Sequence, residues 1–245
     1  MTNHELINQL YQKTLEIYDH EGLKCLRGST DDDYILNGKN ILVWHSEATS
    51  KLKQRFDHFQ NMDSLLIISD EIMYFTAQLY FYKPFLNNPL DNPLRIKGKV
   101  YYPYIMSLPD RRYFMFSEIV IEKIYAFWGQ IANLLAASLD EEICEQQIFF
   151  PSILQKIKNQ VSDNFIWLDN FKRIEYNEIN SHRRMIVHHR GLETKFRNDH
   201  TKSFSNKDEM EKLIHDRDEL PNYFKTHIDR TLTGFEKSLG LISEN

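Results

Sequence analysis

The sequence predicts an all-α fold, a helical bundle carrying one or two small β-hairpins. Three observations predict it. Only 8 Gly and 7 Pro occur in 245 residues, so turns are few and elements are long. Apolar residues make up 42% of the chain and aromatic ones 13%, enough for an aromatic-rich core. A chain of this length buries roughly 70–75% of its unfolded surface, so neither a disulfide nor a metal is required to hold that core. Apolar residues also recur at helical spacing over most of the chain.

The elements follow in order. Residues 4–19 read as an amphipathic helix, with Leu6, Ile7, Leu10, Thr14, Ile17 and Tyr18 on one side and Gly22 just beyond it. In 34–44, two apolar runs flank Asn37-Gly38, a hairpin signal. Residues 46–60 return to helix, with Ser46 as the N-cap. A long helix follows over 63–86, opened by Asp63 or Ser64 and ended near Pro84. The stretch 87–112 holds four of the seven prolines and a Lys97-Gly98-Lys99 turn, which reads as a loop with a second small hairpin. Residues 113–139 form a central helix that is apolar nearly all round and therefore surrounded by others. A helix over 149–161 has Pro151 in its first turn. Another runs from an N-cap at Asp163 to Arg190, breaking near 175–178, with Gly191 as a left-handed stop. A polar loop over 191–206 and a last helix over 207–240, kinked near Pro221, complete the chain. The expected organisation is an N-terminal unit of helices and hairpin over 1–60, packed on a main helical domain over 61–245.

The most apolar stretches, 65–85 and 114–139, are interrupted by Asp70, Glu71 and Lys83, and by Glu118, Glu122 and Lys123. Each such charge costs roughly 2.5–3.5 kcal/mol in a bilayer, so both read as buried core helices. The first residues show no basic segment followed by an apolar run, so no secretory leader is expected. Cys25 and Cys144 form no C-x-x-C pattern and read as reduced thiols of a cytoplasmic protein.

The net charge of −5 is unevenly placed. Between Lys172 and Lys207, nine Lys and Arg stand against four Asp and Glu, and four of the ten histidines fall there. A basic window on an acidic chain favours an anionic partner at that place. The competing explanation is a solvated face paired to its own acidic neighbours.

Within that window lies Asn180-Ser181-His182-Arg183-Arg184-Met185-Ile186-Val187-His188-His189-Arg190-Gly191. On a helical wheel with Leu168 at zero, Phe171, Ile174, Ile179, Met185 and Ile186 form an apolar stripe. His182 and His189 fall inside that stripe, as core or interface histidines do. Arg184 and His188, at i and i+4, share the polar face. Arg183 falls on the opposite flank.

Arg183, four residues and then His188 resembles the R-x4-6-H signature of HEPN domains, here near the C-terminal end of a long helix. Tyr125-Ala126-Phe127-Trp128 with Ile131, and Phe149-Phe150, are also similar to a bacterial HEPN subgroup, and the resemblance spans about residues 60–245. It implies a bundle of four or five helices that dimerises through the motif helix, here 172–190. It also implies metal-independent endoribonuclease activity, as in many members. Carried over, Arg183 and His188 take the catalytic positions. Arg184, Arg190, Lys195 and Arg197 are the candidate RNA and phosphate contacts. The position after the motif arginine is usually Asn, Asp or His in the family. Here it is Arg184, which can bind phosphate but cannot accept a proton.

RNA supplies its own nucleophile, the 2′-OH, so the protein need only move protons and stabilise charge. A histidine suits the first task and a guanidinium the second. No cofactor and no metal is expected. Three alternatives stand beside the nuclease. One is a non-catalytic HEPN module that binds RNA or a partner, or acts as a dimeric scaffold. Another is a metal enzyme built on Glu175, Glu178, His182 and His189, although no H-E-x-x-H or paired E-x-x-H motif supports it. The third is a toxin silenced by modification of a Tyr two positions after the His, where this chain has Arg190. No Walker A, G-x-G-x-x-G or G-x-S-x-G motif occurs.

Overall fold

The computed structural model describes residues 3–28, 33–50, 52, 57–139, 143–157, 162–188 and 191–244. The fold is all-α, with two small antiparallel hairpins. Helix α1 (Asn3–Glu21) ends at Gly22, whose φ of 62° makes it the left-handed stop. Only its C-terminal half is anchored. Thr14 and Tyr18 are buried, whereas Leu6, Ile7, Leu10 and Tyr11 lie exposed.

Asn37 and Gly38 both adopt positive φ and close the hairpin of β1 (Ile35–Leu36) and β2 (Lys39–Asn40). The hairpin is shorter than 34–44. Asn40 stops it by capping helix α2 (Ile41–Thr49), its side chain accepting from the N–H groups of Leu42 and Val43. The apolar run Ile41-Leu42-Val43 suggested a strand, but burial of Ile41, His45, Ala48 and Thr49 follows helical spacing, and tertiary packing decides. Ser46 therefore sits inside a helix and caps nothing. Part of the helix expected over 46–60 falls outside the described residues.

Helix α3 (His58–Tyr82) starts earlier than expected, because Asp57 accepts from the N–H of Gln60. The second hairpin, β3 (Leu94–Ile96) with β4 (Lys99–Tyr101), turns at Lys97-Gly98 as the sequence indicates. Helix α4 (Leu108–Ala137) is the axis of the bundle and packs along α3. Ser107 and Asp110 form a reciprocal capping box at its start. Asp110 is fully buried. It also accepts from the Tyr104 hydroxyl at 2.6 Å and the Asn87 N–H at 3.1 Å, and it lies 4.0 Å from the buried Arg217 guanidinium. Arg217 in turn donates to Asp218 and to the Asn87 carbonyl. Breaking such a buried pair costs about 3–5 kcal/mol, so this network fixes the start of α4 against the far end of the chain.

Helix α5 (Phe150–Ile157) precedes α6 (Asp163–Phe171), which Ser162 rather than Asp163 caps. A π-helical turn over 172–176 then leads directly into α7 (Asn177–His188). The segment does not break near 175–178 as expected; it runs on unbroken and widens into this turn slightly earlier. Two further expectations fail downstream. The segment 191–206 contains helix α8 (Leu192–Lys202), because Leu192, Phe196 and His200 repeat at i, i+4, i+8 and seat the last two against Tyr104 and Phe114. The last helix is two, α9 (Lys207–Asp218) and α10 (Leu220–Ser243), parted at Glu219, with Pro221 in the first turn of α10 where no N–H is needed.

The core centres on Trp128 of α4. Its ring lies 4.1 Å from that of Phe171 and 4.7 Å from that of Phe150. Across it runs α10, where a Cβ on Gly234 would meet Trp128 at 2.2 Å, so only glycine fits. No helix among the described residues is long and apolar enough to cross a membrane.

Two histidines are sealed into this bundle. His45 of α2 lies parallel to the Phe235 ring, and His227 of α10 packs edge-on to Tyr223. Burial pulls both down from 6.5 to about 4. In the unfolded chain they would protonate at their ordinary value, so the unfolded state binds more protons between those limits. Stability is therefore fully present above about pH 6.5 and is lost as pH falls towards about 4, on the order of 3 kcal/mol for each histidine. Chemical denaturation across that range should show the decline, and His227→Gln should flatten it. A pH-independent midpoint would contradict this.

Candidate nucleic-acid interface

The π turn sets the geometry of the motif helix. Its wider turn advances the later residues by about one position, or about 100° on the wheel. Ile174, placed on the apolar stripe by an uninterrupted wheel, is 71% exposed, and Tyr176 is buried in its stead. Tyr176 lies beside Tyr125 of α4 and against Phe150. Burial raises its hydroxyl pKa, so it remains neutral. After Tyr176, Ile179 and the half-buried Ile186 continue the inner face.

Arg183 lies on the α4 side of α7, half-buried. Its Nε donates to Glu122 at 3.1 Å, and its guanidinium covers the Tyr125 ring at 4.2 Å. One turn earlier on α4, Glu118 accepts from the N–H of Leu192 at 2.6 Å, the first residue of α8. Burial raises its pKa, opposed by the hydrogen bonds from the Leu192 and Glu193 backbone. Gly191 is therefore no left-handed stop. Its φ is −58°, and it is glycine because a Cβ would stand 2.4 Å from Glu118 Oε1.

His182 is half-buried between α7 and α10, with its ring 6.1 Å from Tyr223. Its pKa is lowered, chiefly by burial, against the attraction of Glu178. This agrees with a packed rather than catalytic histidine. On the outer face, Ser181, Arg184, Val187 and His188 are all exposed. No ion pair to Arg184 forms among the described residues. His189 and Arg190 lie outside those residues.

Much of the remaining basic window is internally paired. Lys172 and Arg173 both meet Asp169, Lys195 and Lys202 meet Asp199, and Arg197 meets Glu193. Lys195 lies near His182, whereas Arg197, two residues on, points about 200° away around α8. The structure thus gathers Arg184 and His188 on one face and disperses Arg183, Lys195 and Arg197. Glu175 is held by Arg230 at 2.9 Å. Among the described residues no group of three His, Cys, Asp or Glu is assembled that could hold a metal. The groove between α8 and α9, lined by Asp199, Lys202, Glu209, Lys212 and Asp216, mixes both charges and focuses neither.

A helical bundle whose R-x4-H motif lies on α7, packed against a long central helix, matches a known family. The family model for Cthe2314-like HEPN covers residues 102–239, from just before α4 to late in α10. The chain belongs to the HEPN family. In this HEPN protein the matched region contains the motif helix together with α4 and α10, which pack against it. No curated protein and no solved structure matches it.

Sequence reasoning did not identify Glu118 and Glu122 as supports of the site. Their i, i+4 spacing on an otherwise apolar helix was the available signal. Gly191→Ala should displace Glu118 and leave the Leu192 N–H without its acceptor, at a cost of about 1–3 kcal/mol. Glu118→Ala should cost about the same. In the double variant the two losses should not add, which a denaturation cycle would measure.

Proposed function

We propose that this HEPN protein is a metal-independent endoribonuclease that cuts single-stranded RNA and acts as a homodimer. The observation that carries the reading is the pairing of an exposed histidine, His188, with an exposed guanidinium, Arg184, on the free outer face of the motif helix. Each group suits one part of the chemistry. His188 would take the 2′-OH proton or protonate the 5′-oxygen leaving group. An arginine of the motif would stabilise the phosphorane oxygens. The 2′-oxygen bonds to phosphorus, the P–O5′ bond breaks, and the product carries a 2′,3′-cyclic phosphate.

One histidine per chain serves poorly as both acid and base. A two-fold axis beside α7 would bring two copies of His188 into one cleft. Exposed Val187, next to His188 in the chain, supports such a contact, because it offers apolar area beside the polar pair. A second reading, a HEPN module that binds RNA without cutting it, is favoured by one fact. Glu122 already neutralises Arg183, the motif arginine.

Single-stranded RNA should be cut in EDTA, leaving 2′,3′-cyclic ends, while DNA and 2′-O-methyl RNA survive. His188→Ala should lose at least about two orders of magnitude in rate. His182→Ala should lower stability more than rate. Light scattering should report a dimer at micromolar concentration. Cleavage that needs a divalent metal, or that is undiminished in His188→Ala, would leave the binding-module reading in place of the nuclease.

A further inference from the structure

We infer that the two adjacent arginines of the motif have separate tasks. Arg184 is the guanidinium that meets the RNA phosphate, and Arg183 is a positioning residue that holds the motif helix to α4. The inference rests on the nuclease or RNA-binding reading of this face and decides which side chain carries it.

Arg183 and His188 are five residues apart, so on α7 they point about 140° apart. Arg184 and His188 are four apart, about 40° around the helix and about 6 Å along it. A phosphate reached by His188 is therefore on the side of Arg184. Arg183 also has prior commitments. Its Nε donates to Glu122, its charge is compensated by that carboxylate, and the Tyr125 ring covers one face of its guanidinium. A guanidinium so compensated gives little field to a second anion, and turning it outward would abandon both contacts. Arg184 is exposed and bears no ion pair among the described residues, so it can offer its full fork of donors.

The support beneath Arg183 is continuous. Tyr125 lies beside Tyr176, Tyr176 against Phe150, and Phe150 against Trp128 at the centre of the bundle. Glu122 and Glu118 stand one turn apart on α4. Glu122 takes Arg183, and Glu118 takes the backbone just after the His188 end. Arg183 is thus a point at which α4 fixes the height and rotation of α7. Through that fixing it determines where His188 and Arg184 stand.

Five single variants and one double variant separate the roles. Arg184→Gln should leave the melting temperature unchanged and reduce the salt dependence of RNA binding by about one counterion. It should also lower kcat about 100-fold, the usual loss for one charge-stabilising donor. Arg183→Gln should lower the melting temperature and leave the salt slope as in wild type. Glu122→Gln should reproduce Arg183→Gln, and the double variant should lose no more than either alone. Arg183→Lys covers the case in which Arg183→Gln does not fold. It keeps a cation for Glu122 and should retain cleavage within about tenfold, the size of a modest loss of positioning. Arg184→Lys, lacking the planar fork, should fall further.

A reduced salt slope in Arg183→Gln would overturn the inference. So would loss of cleavage in Arg183→Lys at wild-type melting temperature. In a protein that binds RNA but does not cut it, the salt slopes alone decide, so the inference can hold while the nuclease reading fails. Absence of RNA binding by the wild type overturns both.

Discussion

The close approach of Trp128 to Gly234 is the constraint on which the other contacts rest. An indole fills the notch where any other residue of α10 would place a Cβ, so α10 lies hard against α4 at that point. The rings of Phe171 and Phe150 then close over the indole and draw in α6 and α5. From Phe150 the contacts pass through Tyr176 and Tyr125 to the Arg183 guanidinium. Core packing and site geometry are therefore one connected structure, and the motif helix is oriented by the same rings that exclude water from the centre. Aromatic pairs of this kind add about 0.5–1.5 kcal/mol beyond the area they bury.

Charge plays a different part at each level. Within the core, Asp110 and Arg217 are buried together and satisfied by several partners, which fixes how the chain's two halves meet. At half depth, Glu118 and Glu122 grip the end of α7 and the start of α8. On the surface, many cations of the basic window are paired with carboxylates a turn away. Such exposed pairs contribute little to stability. Their effect is to reduce a field that looks strong when residues are merely counted.

Most of the fold was legible in the sequence. Helical spacing located α1, α3, α4 and the α6 to α7 run, and Asn37-Gly38 and Lys97-Gly98 marked both hairpins. The failures were local signals overruled by tertiary contacts. Ile41–Thr49 carries β-branched residues yet coils, because Asn40 caps it and His45 and Thr49 must be buried. The polar composition of 191–206 concealed an apolar repeat of only three positions. At the site, the wheel placed Arg184 beside His188 and set Arg183 apart, and the structure has Arg184 and His188 exposed with Arg183 on α4. What it could not show was the α4 side of that arrangement. Glu118 and Glu122 are distant in sequence and look like interruptions of an apolar helix until α7 is laid across them.

The π turn is where the motif helix takes in one residue more than an α-helix needs. A helix that carries one surplus residue can shed it without breaking its hydrogen-bonded run, since an ordinary α-turn remains. Loss of one residue between 172 and 176 would therefore leave a continuous helix with every later side chain on its present face, whereas loss of one residue within α7 would swing all that follow by about 100°. What this surface presents is thus held in phase by a turn that tolerates one residue more or fewer, while α7 itself tolerates neither.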